Sequence, residues 1–172
     1  MQATRRQVLI AALCAVSSSA ANAAAQLVQT PYKAPMKVVF EFYLDDPATL
    51  SNALFWVRSV FNTVQASPYD FSPEDVQAVV VLHGTEIAAT VIRNQDRYRE
   101  AVERMRYYAQ MGVKFKVCGQ AAHDFGYTPA DFLDFIEIVP NAMTELIYWQ
   151  QQGYALIIPR ILIKRESTDH IR

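Results

Sequence analysis

Five short apolar runs recur along this chain, and the stretches between them place their own apolar residues at helical spacing. Residues 36–44 are nearly continuous in apolar and aromatic side chains. Residues 75–82 end in Val79-Val80-Val81-Leu82, 113–118 end in Val117-Cys118, 135–139 end in Ile138-Val139, and 154–158 close the series. Runs this short are strands, and an unbroken Val-rich run suits a strand buried on both faces. Within 113–118, Val113, Phe115 and Val117 alternate with Lys114 and Lys116. The intervening stretches read as helices. Asp46 suits a cap and Pro47 a first helical position, after which Leu50, Leu54, Val57 and Phe61 share one face as far as residue 64. Residues 86–92 predict a short helical or irregular piece. Residues 94–111 predict a long helix, with Tyr98, Val102 and Met105 as its apolar stripe and Gly112 as its stop. Short helices are expected over 120–125 and 128–133. A last helix follows over 141–152, capped by Asn141, with Ala142, Leu146 and Trp149 facing inward. Strands alternating with helices predict an α/β fold: a three-layer α/β/α domain around a mainly parallel five-stranded sheet.

Parallel strands have a chemical consequence, because all of them end at the same edge. Asp45 and Asp46, His83 and Gly84, Cys118 and Gly119, and Pro140 and Asn141 are the strand-end groups. That edge is where ligands bind in open parallel sheets. Cys118 ends its strand beside a helix N-terminus, where backbone dipoles favour a thiolate. A buried free cysteine packing as a small hydrophobe is the plainer alternative, and both readings stand at this point. His83 ends the preceding strand. On neighbouring strands, about 4.8 Å apart, it would help hold the thiolate or donate a proton to a leaving sulfur. His83 bonded to a loop carbonyl is the alternative there. His123, about one turn into the helix after Cys118, is a second candidate. Gly84, Gly119, His123 and Asn141 complete the expected binding edge.

Several chemistries find no support. Cys118, His83 and His123 are metal-ligand types, but no Cys-x-x-Cys or His-x-x-x-His pair occurs, so no metal is expected. Each candidate loop carries a single glycine, which argues against a phosphate cradle, and there is no Gly-x-Ser-x-Gly elbow. No cofactor is implied. A formal charge of -1 with no basic stripe argues against nucleic acid.

The N-terminal residues predict export. Arg5-Arg6 precede an apolar run reaching Val16, then small residues and an Ala21-Asn22-Ala23 cleavage pattern, with no acidic residue before Glu41. The run is far shorter than the roughly 20 residues a spanning helix needs. The twin arginine is similar to a Tat signal, and the general secretory route stays open. Leu13 rather than a small residue precedes Cys14, which argues against lipoprotein processing. The expected organisation is a cleaved signal over 1–24, an extended arm over 25–35, one domain over 36–159 and a tail over 160–172. The expected location is the periplasm, with no membrane contact after cleavage. Of the two cysteines only Cys118 would then remain. An unpaired thiol in an oxidising compartment is a reactive group or an intermolecular partner. With no second cysteine, it would carry sulfur as a persulfide or form a mixed disulfide.

Three stretches together resemble a known family. Val79-Val80-Val81-Leu82-His83-Gly84, Phe115-Lys116-Val117-Cys118-Gly119, and Ile138-Val139-Pro140-Asn141-Ala142 with Gln151-Gln152-Gly153-Tyr154-Ala155 are similar to the exported branch of the DsrE/DsrF-like proteins. The resemblance covers roughly 36–159. It implies a small α/β protein assembled as a homo-oligomer, a trimer or hexamer, with Cys118 at the family's cysteine position and His83 at the histidine before glycine. It further implies sulfur relay through a Cys118 persulfide, with a sulfur donor or acceptor protein or a small sulfur compound as partner. A small-ligand or metal-binding module of the same fold is the rival reading. A third is an assembly role, in which Tyr148, Trp149 and the apolar tail Ile161-Leu162-Ile163 form an interface.

Overall fold

The computed structural model describes residues 25–162 and 166–171. The expected signal over 1–24, Cys14 included, lies outside the described residues, as does Ile163. The chain divides into two units, Met1–Thr30 and Pro31–Arg172. In the first, residues 25–30 carry no regular element. The second contains the whole sheet.

Among the described residues, five strands and four α-helices alternate: β1 (Met36–Phe42), α1 (Leu50–Gln65), β2 (Val76–Leu82), α2 (Arg99–Gln110), β3 (Lys114–Cys118), α3 (Gly119–Asp124), β4 (Ile136–Val139), α4 (Ala142–Gln151) and β5 (Ala155–Ile157). All four strand pairings are parallel, in the order β4-β3-β2-β1-β5. Crossovers in such sheets are right-handed. The chain steps from β1 through β4 in one direction, so α1, α2 and α3 fall on one face. It then returns past β1 to β5, which puts α4 on the other. The packing shows this division. Phe40, Phe42, Val80, Leu82, Phe115 and Val117 pack with α1, α2 and α3, whereas Val39, Val79, Val81 and Cys118 pack with Ala142, Leu146 and Trp149 of α4.

Local chemistry sets the element ends. Asp46 Oδ1 accepts from Ala48 N at 2.9 Å, and Pro47 opens a 3-10 turn that runs into α1. The long helix expected from residue 94 begins only at Arg99, after tight 3-10 turns over Thr85–Thr90 and Ile92–Asn94. Those turns are pinned from outside: Val91 bridges Phe132, and Leu133 N donates to Thr90 O at 3.0 Å. The short helix expected over 128–133 is a single 3-10 turn, Pro129–Asp131. Asp131 Oδ2 holds it by accepting from both the amide and the hydroxyl of Thr128.

The alternation in β3 hides one burial, and one expectation needs correction. Lys116, on the face that α4 covers, is buried. Its Nζ is buried against Glu137 (2.6 Å) and Glu145 (3.4 Å), beside the ring of Trp149. Trp149 is equally unavailable as an interface residue, being packed over the sheet with its indole N–H on Glu145 at 2.8 Å. Tyr148 stays half exposed, as do Met143 and Ile147 on the outer side of α4.

Candidate functional site

At the C-terminal edge of the sheet, β1, β2 and β3 present one row of side chains on the α4 face. Phe42 pairs with Leu82 and Leu82 with Val117. One residue further along this register, Tyr43, His83 and Cys118 follow on the three strands, about 4.8 Å apart from strand to strand. His83 N donates to Phe42 O at 3.1 Å and carries the ladder one step beyond β2. β2 and β3 are therefore neighbours, which is the condition on which the expected approach of His83 to Cys118 depended.

The partners of the two residues differ from expectation. Among the described residues, the hydrogen bond of the His83 ring is to Glu41, with Nε2 3.0 Å from Oε1. Both side chains are largely buried, at 12% and 18% exposure. The Tyr43 ring stacks on the imidazole, with centroids 4.7 Å apart and planes 13° from parallel. Cys118 is 4% exposed. Its Sγ accepts from the backbone N–H of Ala142 at 3.3 Å. Cys118 is the N-cap residue of α3, as expected, but its sulfur bonds no N–H there; the helix N-terminus that donates to it is that of α4, twenty-four residues on. A sulfur anion would strengthen this bond, since charge-assisted hydrogen bonds are roughly twice as strong as neutral ones.

Asn141 sets the position of that N–H. Its Oδ1 accepts from Met143 N at 2.8 Å and Thr144 N at 3.4 Å, and its Nδ2 donates to Gln120 Oε1 at 2.8 Å. It therefore caps α4 and ties it to the segment after Cys118. Replacing Asn141 with Ala is expected to cost about 1 kcal/mol of stability, measured by urea unfolding, and to speed the reaction of Cys118 with a thiol reagent. An unchanged labelling rate would mean that the cap does not control access to the sulfur. Gly119 is required by close approach: a Cβ there would lie 2.8 Å from Val139 O. His123 does not join the site, being 91% exposed and 3.6 Å from Asp124.

The backbone after β2 is held by a residue that the sequence did not mark. Glu86 is completely buried. Its Oε1 accepts from His83 N and Gly84 N, and its Oε2 from Leu44 N, each at 2.9 Å. Burial pushes its carboxyl above the usual range, opposed by the N–H bonds from Gly84, Leu44, Glu86 itself and His83. Leu44 O in turn accepts from Thr85 N at 2.9 Å and Thr85 Oγ1 at 3.0 Å. The loops after β1 and β2 are thereby stitched into one unit that carries Tyr43 and His83. Glu41 was equally unmarked. The signal for it was the one acid of β1, set in a strand that is otherwise apolar after Lys37.

Beside His83 opens a cleft of about 940 Å³, bordered by Tyr43, Asp45, Asp46, Gly84, Asp124 and Phe125 among others. Cys118 does not border it. Among the described residues, no three His, Cys, Asp or Glu side chains are grouped to hold a metal ion.

Residues 36–159 match the sequence model of the DsrE/DsrF-like family. The chain belongs to this family. No curated protein matches it. Among solved structures, it is similar to a protein of unknown function from Methanobacterium thermoautotrophicum. The identity is 20%, the match covers 72% of this chain and 99% of that one, and the TM-score is 0.57. A conserved protein of unknown function from Bacteroides thetaiotaomicron is similar over 72% of this chain and 94% of its own, at 14% identity and a TM-score of 0.49. The first likeness shows the fold: a DsrE/DsrF-like α/β domain with a five-stranded parallel sheet. Cys118 and His83 stand at the strand-end edge of this domain.

Proposed function

We propose that this DsrE/DsrF-like protein handles sulfur, with Cys118 accepting a sulfane sulfur atom as a persulfide. The observation that carries the reading is the Ala142 N–H donated to Cys118 Sγ, in a row shared with His83. The exchange is balanced without an external oxidant. Cys118 loses its proton, the thiolate attacks the terminal sulfur of R–S–SH, the S–S bond of the donor breaks, and R–S⁻ leaves. A proton held by His83 neutralises the departing thiolate. Cys–SH and R–S–SH thus become Cys–S–SH and R–SH. The protein is read as a carrier that passes sulfur between a donor and an acceptor, working after export to the periplasm. The exposed apolar side chains of α4 support self-association.

The test is the intact mass of the purified protein after incubation with polysulfide. A gain of one or more sulfur atoms, absent in Cys118→Ser with the fold retained, is the expected result. Equal loading of Cys118→Ser would sink the proposal. One observation favours a second reading, a small-ligand binding module: the cleft beside His83 is open while Cys118 is buried outside it. A wild-type protein that takes no sulfur and leaves Cys118 unlabelled by a thiol reagent when folded would put that reading first.

A further inference from the structure

We propose that Glu41 is the positioning residue of this site, holding His83 in one tautomer so that Nδ1 is the atom that exchanges the proton. The inference rests on the sulfur-handling reading for what the proton is used for, but not for the dyad itself. An ionised carboxylate only accepts hydrogen bonds, so the 3.0 Å contact with Glu41 Oε1 requires the proton of neutral His83 to sit on Nε2. Nδ1 then carries the lone pair. No side chain or backbone group among the described residues bonds Nδ1. No buried side-chain nitrogen or oxygen among them lacks a partner, so Nδ1 reaches solvent.

Everything else about the ring is fixed. Tyr43 covers one face of it. The backbone N–H of His83 lies between Phe42 O and Glu86 Oε1. Glu41 stands on β1, an inner strand of the sheet between β2 and β5, and is itself largely buried. This is the arrangement of an acid–base group: one nitrogen committed to an orienting carboxylate and the other left free. The groups around it are Glu41 from β1, Tyr43 just after that strand, and Asp45, Asp46 and Asp124 around the cleft, with Cys118 one position beyond the last β2–β3 pair. Among the described residues, the charged side chains bordering that cleft besides His83 are acidic. In the exchange described above, Nδ1 takes the proton of the Cys118 thiol as sulfur arrives and returns it to the departing thiolate.

The experiment combines a spectroscopic and a kinetic reading on the purified protein. Imidazole ¹⁵N–¹H correlation spectra report the tautomer, and with three histidines in the chain a His83→Gln variant assigns the signals. The wild type is expected to show neutral His83 as the Nε2–H form. Glu41→Ala should lose that preference and slow sulfur loading by polysulfide about tenfold or more, part of the roughly 10²–10⁴ that a placed acid–base group contributes. Glu41→Gln keeps an acceptor oxygen, so it should restore the tautomer and most of the rate. An Nδ1–H wild type, or an unchanged tautomer in Glu41→Ala, overturns the proposal whatever Cys118 does. A protein that shows the expected tautomers but takes up no sulfur leaves the dyad standing and removes only the sulfur reading.

Discussion

Glu86→Ala is expected to destabilise the fold by more than about 3 kcal/mol, a large part of the roughly 5–15 kcal/mol that holds a domain folded. The side chain is completely buried and three backbone N–H groups from two different loops end on it. Removal strands Gly84 N and Leu44 N, each at about 1–3 kcal/mol, leaves His83 N with Phe42 O alone, and opens a cavity. Glu86→Gln is milder. Its carbonyl oxygen keeps His83 N and Gly84 N, while its amide turns a donor toward Leu44 N–H, at a cost of about 1–3 kcal/mol. The comparison also has a pH signature. Burial raises the Glu86 carboxyl above its ordinary range, so the folded state holds this proton more tightly than the unfolded chain. Stability from that proton is complete below the unfolded value and is lost as pH rises through the raised folded one. The advantage of wild type over Glu86→Gln should therefore be largest in acid and shrink with rising pH. Paired urea melts across pH measure it, and a constant difference would mean that Glu86 does not change protonation on folding.

Gly84→Ala should act at the same place by collision. A Cβ there would sit 2.5 Å from Glu86 Oε2, 2.5 Å from Leu44 O and 2.6 Å from Leu44 N. Its backbone has φ -99°, so the demand is for space and not for a left-handed conformation. Overpacking costs typically about 1–3 kcal/mol. Here two of the three obstacles are backbone, so relief requires β1 and β2 to part at their ends. That parting displaces Tyr43 and His83 together. The expected outcome is a loss near the top of that range in urea unfolding. The Nε2–H signature of His83 should weaken even in the molecules that remain folded. A variant with wild-type stability would mean that the two loops slide freely.

Elements were legible where a local pattern decides them. The Val79–Leu82 run, the Asp46-Pro47 start and the Asn141 cap each carry their own geometry, and each stands as expected. What failed to show was anything settled by a distant partner. Lys116 alternates like a surface residue, and only the return of α4 across the sheet buries it. Glu86 bonds across forty-two residues to Leu44 and Glu41 across the same separation to His83, so neither pair leaves a mark within a sequence window. The row at the sheet edge was legible in part. Parallel topology brings His83 and Cys118 to one edge, but which strands are neighbours depends on the direction of each crossover. The helix that donates to the sulfur depends on α4 crossing to the opposite face.

That crossing has a mechanical side. α4 leaves β4 at one border of the sheet, lies over β1 and β2, and delivers the chain to β5 at the other border. Its first N–H touches Cys118, so its starting point is a lever arm resting on the sulfur. An extra atom on Sγ needs room where Ala142 and Asn141 now sit. On the sulfur reading, loading Cys118 would have to displace the start of α4, the helix that joins the two borders of the sheet.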